Sequence, residues 1–240
     1  MRLLRQPCGL SRNDRRNSGF TLAEVLLVIT IIGVVASLTI PGLILNIQTQ
    51  QYKAAWKKTF SRFSAATIEL MNDNNSTMIG VNGANVRTLR DKYANYLNVL
   101  KSCGYNQVLG NCWHTVGTVK YMDGNITTYT DTIEAGFVLA DGTLINFGYV
   151  SDPNCNSHYG GSGTIKCCNR IFFDINGFKG PNMYGKDIFR IYILKDRIVP
   201  EGVDNDMNEN KPSTSCPDDG VSFGAFTYPG AGCAAKYLMQ

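Results

Sequence analysis

A chain of 240 residues, 44% hydrophobic and only 18% charged, has room for one domain or two small ones and is too apolar to be disordered. Its net charge of +4 is concentrated at the N-terminus, where Arg2, Arg5, Arg12, Arg15 and Arg16 face the single acid Asp14. The remainder is balanced, which disfavours a basic nucleic-acid-binding body. All of the 8 cysteines except Cys8 lie beyond residue 100, and there are only 2 histidines. This composition suits an exported, disulfide-bearing domain better than a catalyst.

Residues 1–19 are polar and basic. At Phe20 the chain turns abruptly apolar, and no charge separates Glu24 from Lys53. About 20 such residues in a helix already span a hydrocarbon core of ~30 Å. Positive charge ahead of the run places the N-terminus on the cytoplasmic side and the bulk of the chain outside. A secretory signal cleaved after the apolar run does not fit, because the run is too long and continues into a helical pattern. A plain signal anchor fits the length but leaves Glu24 unexplained, since an acid within lipid is costly. The third reading is cleavage ahead of the run, between Gly19 and Phe20.

The string Gly19-Phe20-Thr21-Leu22-Ala23-Glu24-Val25-Leu26-Leu27-Val28 resembles the N-terminal motif of type IV pilins and type II secretion pseudopilins. The resemblance implies that a dedicated membrane peptidase cuts after Gly19 and that the new N-terminal Phe20 is methylated. It places the family's acid at Glu24 and its helix-interrupting proline at Pro41. It also implies partners: the prepilin peptidase, an inner-membrane assembly platform, and other pilin-like subunits packed through their N-terminal helices. The chemistry is sensible without the name. Cleavage creates an amine on Phe20, and a neighbour's amine neutralises a Glu24 that is expensive when alone in lipid. That pairing favours one axial stagger between subunits. The competing role for Glu24 is a carboxylate snorkelling at the headgroup boundary.

Beyond Pro41 the helical pattern continues. Tyr52, Trp56, Phe60, Phe63, Thr67 and Leu70 form one stripe, with Lys53, Lys57, Lys58, Arg62 and Glu69 opposite. The segment Asn72–Ser76 ends it with turn formers. Unbroken from Phe20 to Asn72, this helix measures about 80 Å. A second helix is predicted over 85–100. Strands follow: 118–122 and 125–129 around Asp123-Gly124, 136–140 and 143–147 around Asp141-Gly142, then 171–175 and 188–194. Residues 200–220 read as a long loop leading to a short final strand. The fold class is α+β: a long N-terminal helix, membrane-spanning in its first half, packed on a mostly antiparallel, disulfide-stabilised sheet. The organisation is a leader over 1–19, a transmembrane and assembly helix over 20–45, and an exported globular domain over 46–240.

Removal of the leader takes Cys8 with it. Of Cys103, Cys112, Cys155, Cys167, Cys168, Cys216 and Cys233, an odd set, one is free, intermolecular or misassigned. Close spacing favours Cys103–Cys112. Cys155 then takes either Cys167 or Cys168, and Cys216–Cys233 resembles the C-terminal disulfide loop of many pilins. Zinc at Cys112, His114, Cys155 and His158 is disfavoured because no tight C-x₂-C pair is present. The Asp, Asn and Gly spacing of Phe173–Asp187 reads first as a structural turn. Calcium at Asp174, Asn176 and Asp187 is a minor alternative; an EF-hand is excluded by the position of Gly177 and the missing bidentate Glu. No nucleophile–base pair or phosphate loop is visible. The reading is therefore a non-enzymatic filament subunit in the inner membrane with its head outside. The alternatives are a minor tip subunit for adhesion or DNA uptake, or a membrane-anchored exported enzyme.

Overall fold

In the computed structural model the described residues are 19–83, 85–128, 130, 132–148, 151–158, 165–203, 212–217 and 228–240. The chain divides into two units, Met1–Asn46 and Ile47–Gln240. Helix α1 covers Leu22–Asn72 without interruption at Pro41. Its first half is apolar and exposed, and α1 is long and apolar enough to cross a membrane. The few hydroxyls of that half bond back to the helix. Thr30 donates to the Leu26 and Leu27 carbonyls, Ser37 to Val34 and Thr39 to Val35, at 2.8–3.0 Å. Back-bonding of this kind leaves little polar surface to desolvate in lipid.

In the second unit, α1 buries Trp56, Phe63, Thr67 and Leu70 of the expected stripe together with Thr59, Ala66 and Met71, while Tyr52 and Phe60 pack against this core partly buried. It packs on a six-stranded antiparallel sheet in sequential order: β1 Val99–Cys103, β2 Ala135–Leu139, β3 Leu144–Phe147, β4 Asn169–Asp174, β5 Ile188–Ile193 and β6 Ile198–Pro200. Alternation along β4 and β5 sends Ile171, Phe173, Phe189 and Ile191 to the α1 face and Phe172 and Ile188 to the other. Trp56 stacks on Phe189 with centroids 4.5 Å apart, and its indole N–H donates to the Ala234 carbonyl at 2.9 Å. Phe63 stacks on Tyr93, whose hydroxyl meets Thr67 at 2.8 Å. The opposite face is covered by Val108, Trp113, Val119 and Tyr184, so the central strands are buried on both sides.

The expected hairpin at Asp141-Gly142 forms as β2–β3, with Gly142 at φ 89° and the Asp141 carboxylate accepting from Thr143 N. The same carboxylate takes Arg62 of α1 at 3.0 Å, which ties the turn to the helix.

Four expectations are corrected. The turn at Asp123-Gly124 forms, but 118–122 and 125–128 are joined only by the bridge Lys120–Ile126, and residue 129 lies outside the described set. Tyr121 N and Thr127 N do bond across the turn, to the Asn125 and Val119 carbonyls, but Asn125 N donates to the Asp123 carboxylate and Thr118 N to the Thr115 carbonyl, so the ladder stops at one bridge. The helix expected over 85–100 is shorter. Helix α2 covers Val86–Tyr93, started by the Asn85 side chain accepting from Thr88 N, and Val99 already belongs to β1. Asn95 and Asn98 are poor helix interiors, and the Asn98 carbonyl accepts from Ala140 N across the sheet. Within the loop expected at 200–220, α3 covers Pro212–Ser215; residues 204–211 and 218–220 lie outside the described set. The expected final strand is helix α4, Cys233–Met239, whose Ala-Ala-Lys-Tyr-Leu-Met run favours a helix.

Candidate functional sites

At the N-terminal end, Gly19 and Phe20 precede α1, and Phe20 is exposed. Thr21 and Glu24 make a reciprocal cap. Glu24 N donates to the Thr21 hydroxyl at 3.2 Å, while Thr21 N and Oγ1 donate to Glu24 Oε2 at 2.9 and 2.8 Å. This is the S/T-x-x-E capping box, legible in Thr21-Leu22-Ala23-Glu24 but overlooked above. Glu24 therefore has a local role in starting the helix, besides any role between subunits. Pro41 sits inside α1 and leaves the carbonyl four residues earlier without its amide donor, a local weak point in a continuous helix.

The structure joins Cys103 to Cys112, Cys155 to Cys168 and Cys216 to Cys233, and leaves Cys167 as a buried thiol. Adjacent residues in extended chain face opposite ways: Cys168 enters the α1-side core with Cys155, while Cys167 packs with Tyr192 and Leu194. Burial pushes the Cys167 thiol up to about 12, so it is no nucleophile at neutral pH. We expect alkylation of the leaderless protein in denaturant, without reductant, to label one thiol, and in native buffer almost none. Reduction first should expose all seven. Labelling of three or more without reductant would contradict this pairing.

Of the disfavoured zinc set, Cys112 and Cys155 are held in disulfides, and His158 is exposed. His114 instead joins Asp174 and Asp187 in a buried polar cluster. Its Nε2 lies 2.8 Å from Asp174 Oδ2, while Asp174 Oδ1 accepts from Asn176 N. Asp187 accepts from Asn182 N and Met183 N at 2.8 and 2.7 Å. These bonds account for Asp174, Asn176 and Asp187 as groups that hold the β4–β5 connection. Among the described residues, no three His, Cys, Asp or Glu side chains are disposed to hold a metal ion.

Burial, reinforced by the Asp187 charge, pushes the Asp174 carboxyl well above the usual carboxylate range, against the N–H groups of Asn176 and Gly177. Burial raises Asp187 as well and lowers His114. Among the described residues no Lys or Arg forms an ion pair with either carboxyl. A carboxyl raised in the folded state stabilises fully at acid pH, and its contribution fades as pH rises through the folded value. The protein should therefore lose stability as pH climbs out of the ordinary carboxylate range. Asp174→Asn keeps an acceptor without the charge, so it should flatten that slope and be the more stable form at pH 8. Denaturant unfolding at several pH values measures this; parallel slopes for the two proteins would refute it.

With this geometry in place, comparison with known proteins is informative at one end of the chain. Residues 14–40 match the family described as the prokaryotic N-terminal methylation motif. No curated protein and no solved structure matches the chain. The matched segment is the prepilin-type signal of type IV pilins and pseudopilins, and it contains Gly19, Phe20, Glu24 and the apolar start of α1. The motif supports a pilin- or pseudopilin-type subunit processed by the prepilin peptidase, and with the apolar helix it fits a membrane-anchored one.

Proposed function

We propose that the chain is a structural subunit of a type II secretion or type IV pilus-like filament. The observation that carries this reading is the methylation motif, running into the exposed apolar first half of α1, in which Glu24 is followed by no charge until Lys53. In this reading the peptidase removes residues 1–19, and the Phe20 amine is methylated. Residues 20–45 hold the precursor in the inner membrane with its N-terminus cytoplasmic. Residues 46–240 form the exported head. Assembly packs the apolar helices together, with Glu24 of one subunit against the Phe20 amine of another, and the weak point at Pro41 lets α1 loosen locally. The chain supplies no chemistry of its own; the peptidase and the assembly machinery do the work. Three disulfides in the head suit an oxidising compartment.

The test is to shear surface filaments, or pseudopili formed on overexpression, and to separate them from membranes. A filament subunit appears in the sheared fraction only when the assembly ATPase is present. Strict retention in the membrane fraction under those conditions would contradict the proposal.

A further inference from the structure

A cleft of about 540 Å³ lies on the head between the loop at Ile79, the turn at 154–156, residues 165–166 and the β5–β6 turn at 194–197. Its walls are cross-tied. Met78 N and the Thr77 hydroxyl donate to the Lys195 carbonyl, Gly80 N donates to the Pro153 carbonyl, and Leu194 N to the Arg197 carbonyl. The Cys155–Cys168 disulfide fixes the third wall. Such a cleft is formed before any ligand arrives, so binding has little ordering cost to offset.

Its chemistry is uneven. Ile79, Ile165 and Leu194 supply apolar surface, and Lys166, Lys195 and Arg197 surround it, with Asp196 as the one lining acid among the described residues. The Asp196 carboxylate is taken by Arg197 at 3.1 Å. Nearby Asp152 turns its carboxylate to Asn154 N, Asn156 N and the Ser157 hydroxyl. Among the described residues, the ammonium groups of Lys166 and Lys195 and the side-chain amides of Asn154 and Asn156 have no hydrogen-bond or ion-pair partner. Beyond the leader the sequence is charge-balanced, so this is a local excess of positive charge.

We propose that this cleft binds an acidic peptide segment of a partner protein. Two free ammoniums match carboxylates. The amides offer both a donor and an acceptor, the complement of a peptide backbone. The apolar floor receives aliphatic side chains between the acids. A nucleic acid fits less well, because among the described residues no aromatic side chain lines the cleft to stack a base.

The probe is a fluorescent Glu-Leu-Glu-Leu-Glu peptide titrated into the detergent-solubilised full chain and read by anisotropy. Binding should weaken as salt rises. The double variant Lys166→Glu with Lys195→Glu, both exposed, should lower affinity by about tenfold or more. Lys57→Glu, exposed on α1, should not change it. No binding overturns the proposal. So does equal binding of the Gln-for-Glu peptide or of a single-stranded oligonucleotide of equal charge, or an equal loss with Lys57→Glu.

Discussion

Glu24→Gln is expected to leave membrane insertion and cleavage intact while lowering the fraction of subunit in filaments by about tenfold or more. The local geometry makes this substitution the informative one. Thr21 and Glu24 cap α1 reciprocally, and a Gln at the same place keeps a capping box. Glu24→Gln thus preserves the start of the helix and removes only the charge. Glu24→Ala removes both the charge and the carboxylate that accepts from Thr21 N and Oγ1. If charge pairing with a neighbouring Phe20 amine sets the stagger, Gln and Ala should be nearly equally defective, because either leaves that amine unpaired. Glu24→Asp should be intermediate, since it keeps the charge with a shorter reach. If Gln assembles like the parent while Ala does not, the cap is what matters. Normal assembly of both would reduce Glu24 to a snorkelling carboxylate. The measurement is the ratio of subunit in sheared filaments to membranes, with cleavage followed on the same gel.

Gly19→Leu should accumulate almost all of the protein as uncleaved precursor. Among the described residues a Cβ built on Gly19 meets nothing within 4 Å, so the substitution disturbs no packing there. A processing block then reports the shape of the peptidase's site rather than misfolding. Gly19→Ala, the smallest step, should be cleaved more readily than Leu. Full processing of Gly19→Leu would mean that cleavage occurs elsewhere or does not depend on this junction.

Much of this architecture was legible because it rests on strong periodicities. The charge-free run to Lys53 and the Trp56–Leu70 stripe each repeat one rule over many residues, and Asp141-Gly142 is a two-residue turn between apolar segments. What escaped was decided by tertiary competition. Residues 118–122 have the setting of a hairpin strand, yet Thr118 N bonds to the Thr115 carbonyl and Asn125 N to the Asp123 carboxylate instead of across the turn. Leu100 reads as the last apolar position of a helix, but it stands exposed on the edge strand β1. Cys167 and Cys168 are equivalent in sequence; only the facing of the chain entering β4 selects Cys168 for Cys155. In the cluster at Asp174, the spacing of Asp, Asn and Gly was visible, whereas the approach of His114 from 60 residues away was not. The capping box at Thr21 was fully legible and needed only the S/T-x-x-E pattern.

The central claim is that this chain is made as a prepilin and matures by loss of its leader. Intact-mass and N-terminal peptide mass spectrometry of the protein, isolated from cells with an active prepilin peptidase, tests it most directly. The account predicts a mature chain beginning at Phe20 and carrying one methyl group on its α-amine. A protein that keeps Met1 and residues 1–19 under those conditions would contradict it.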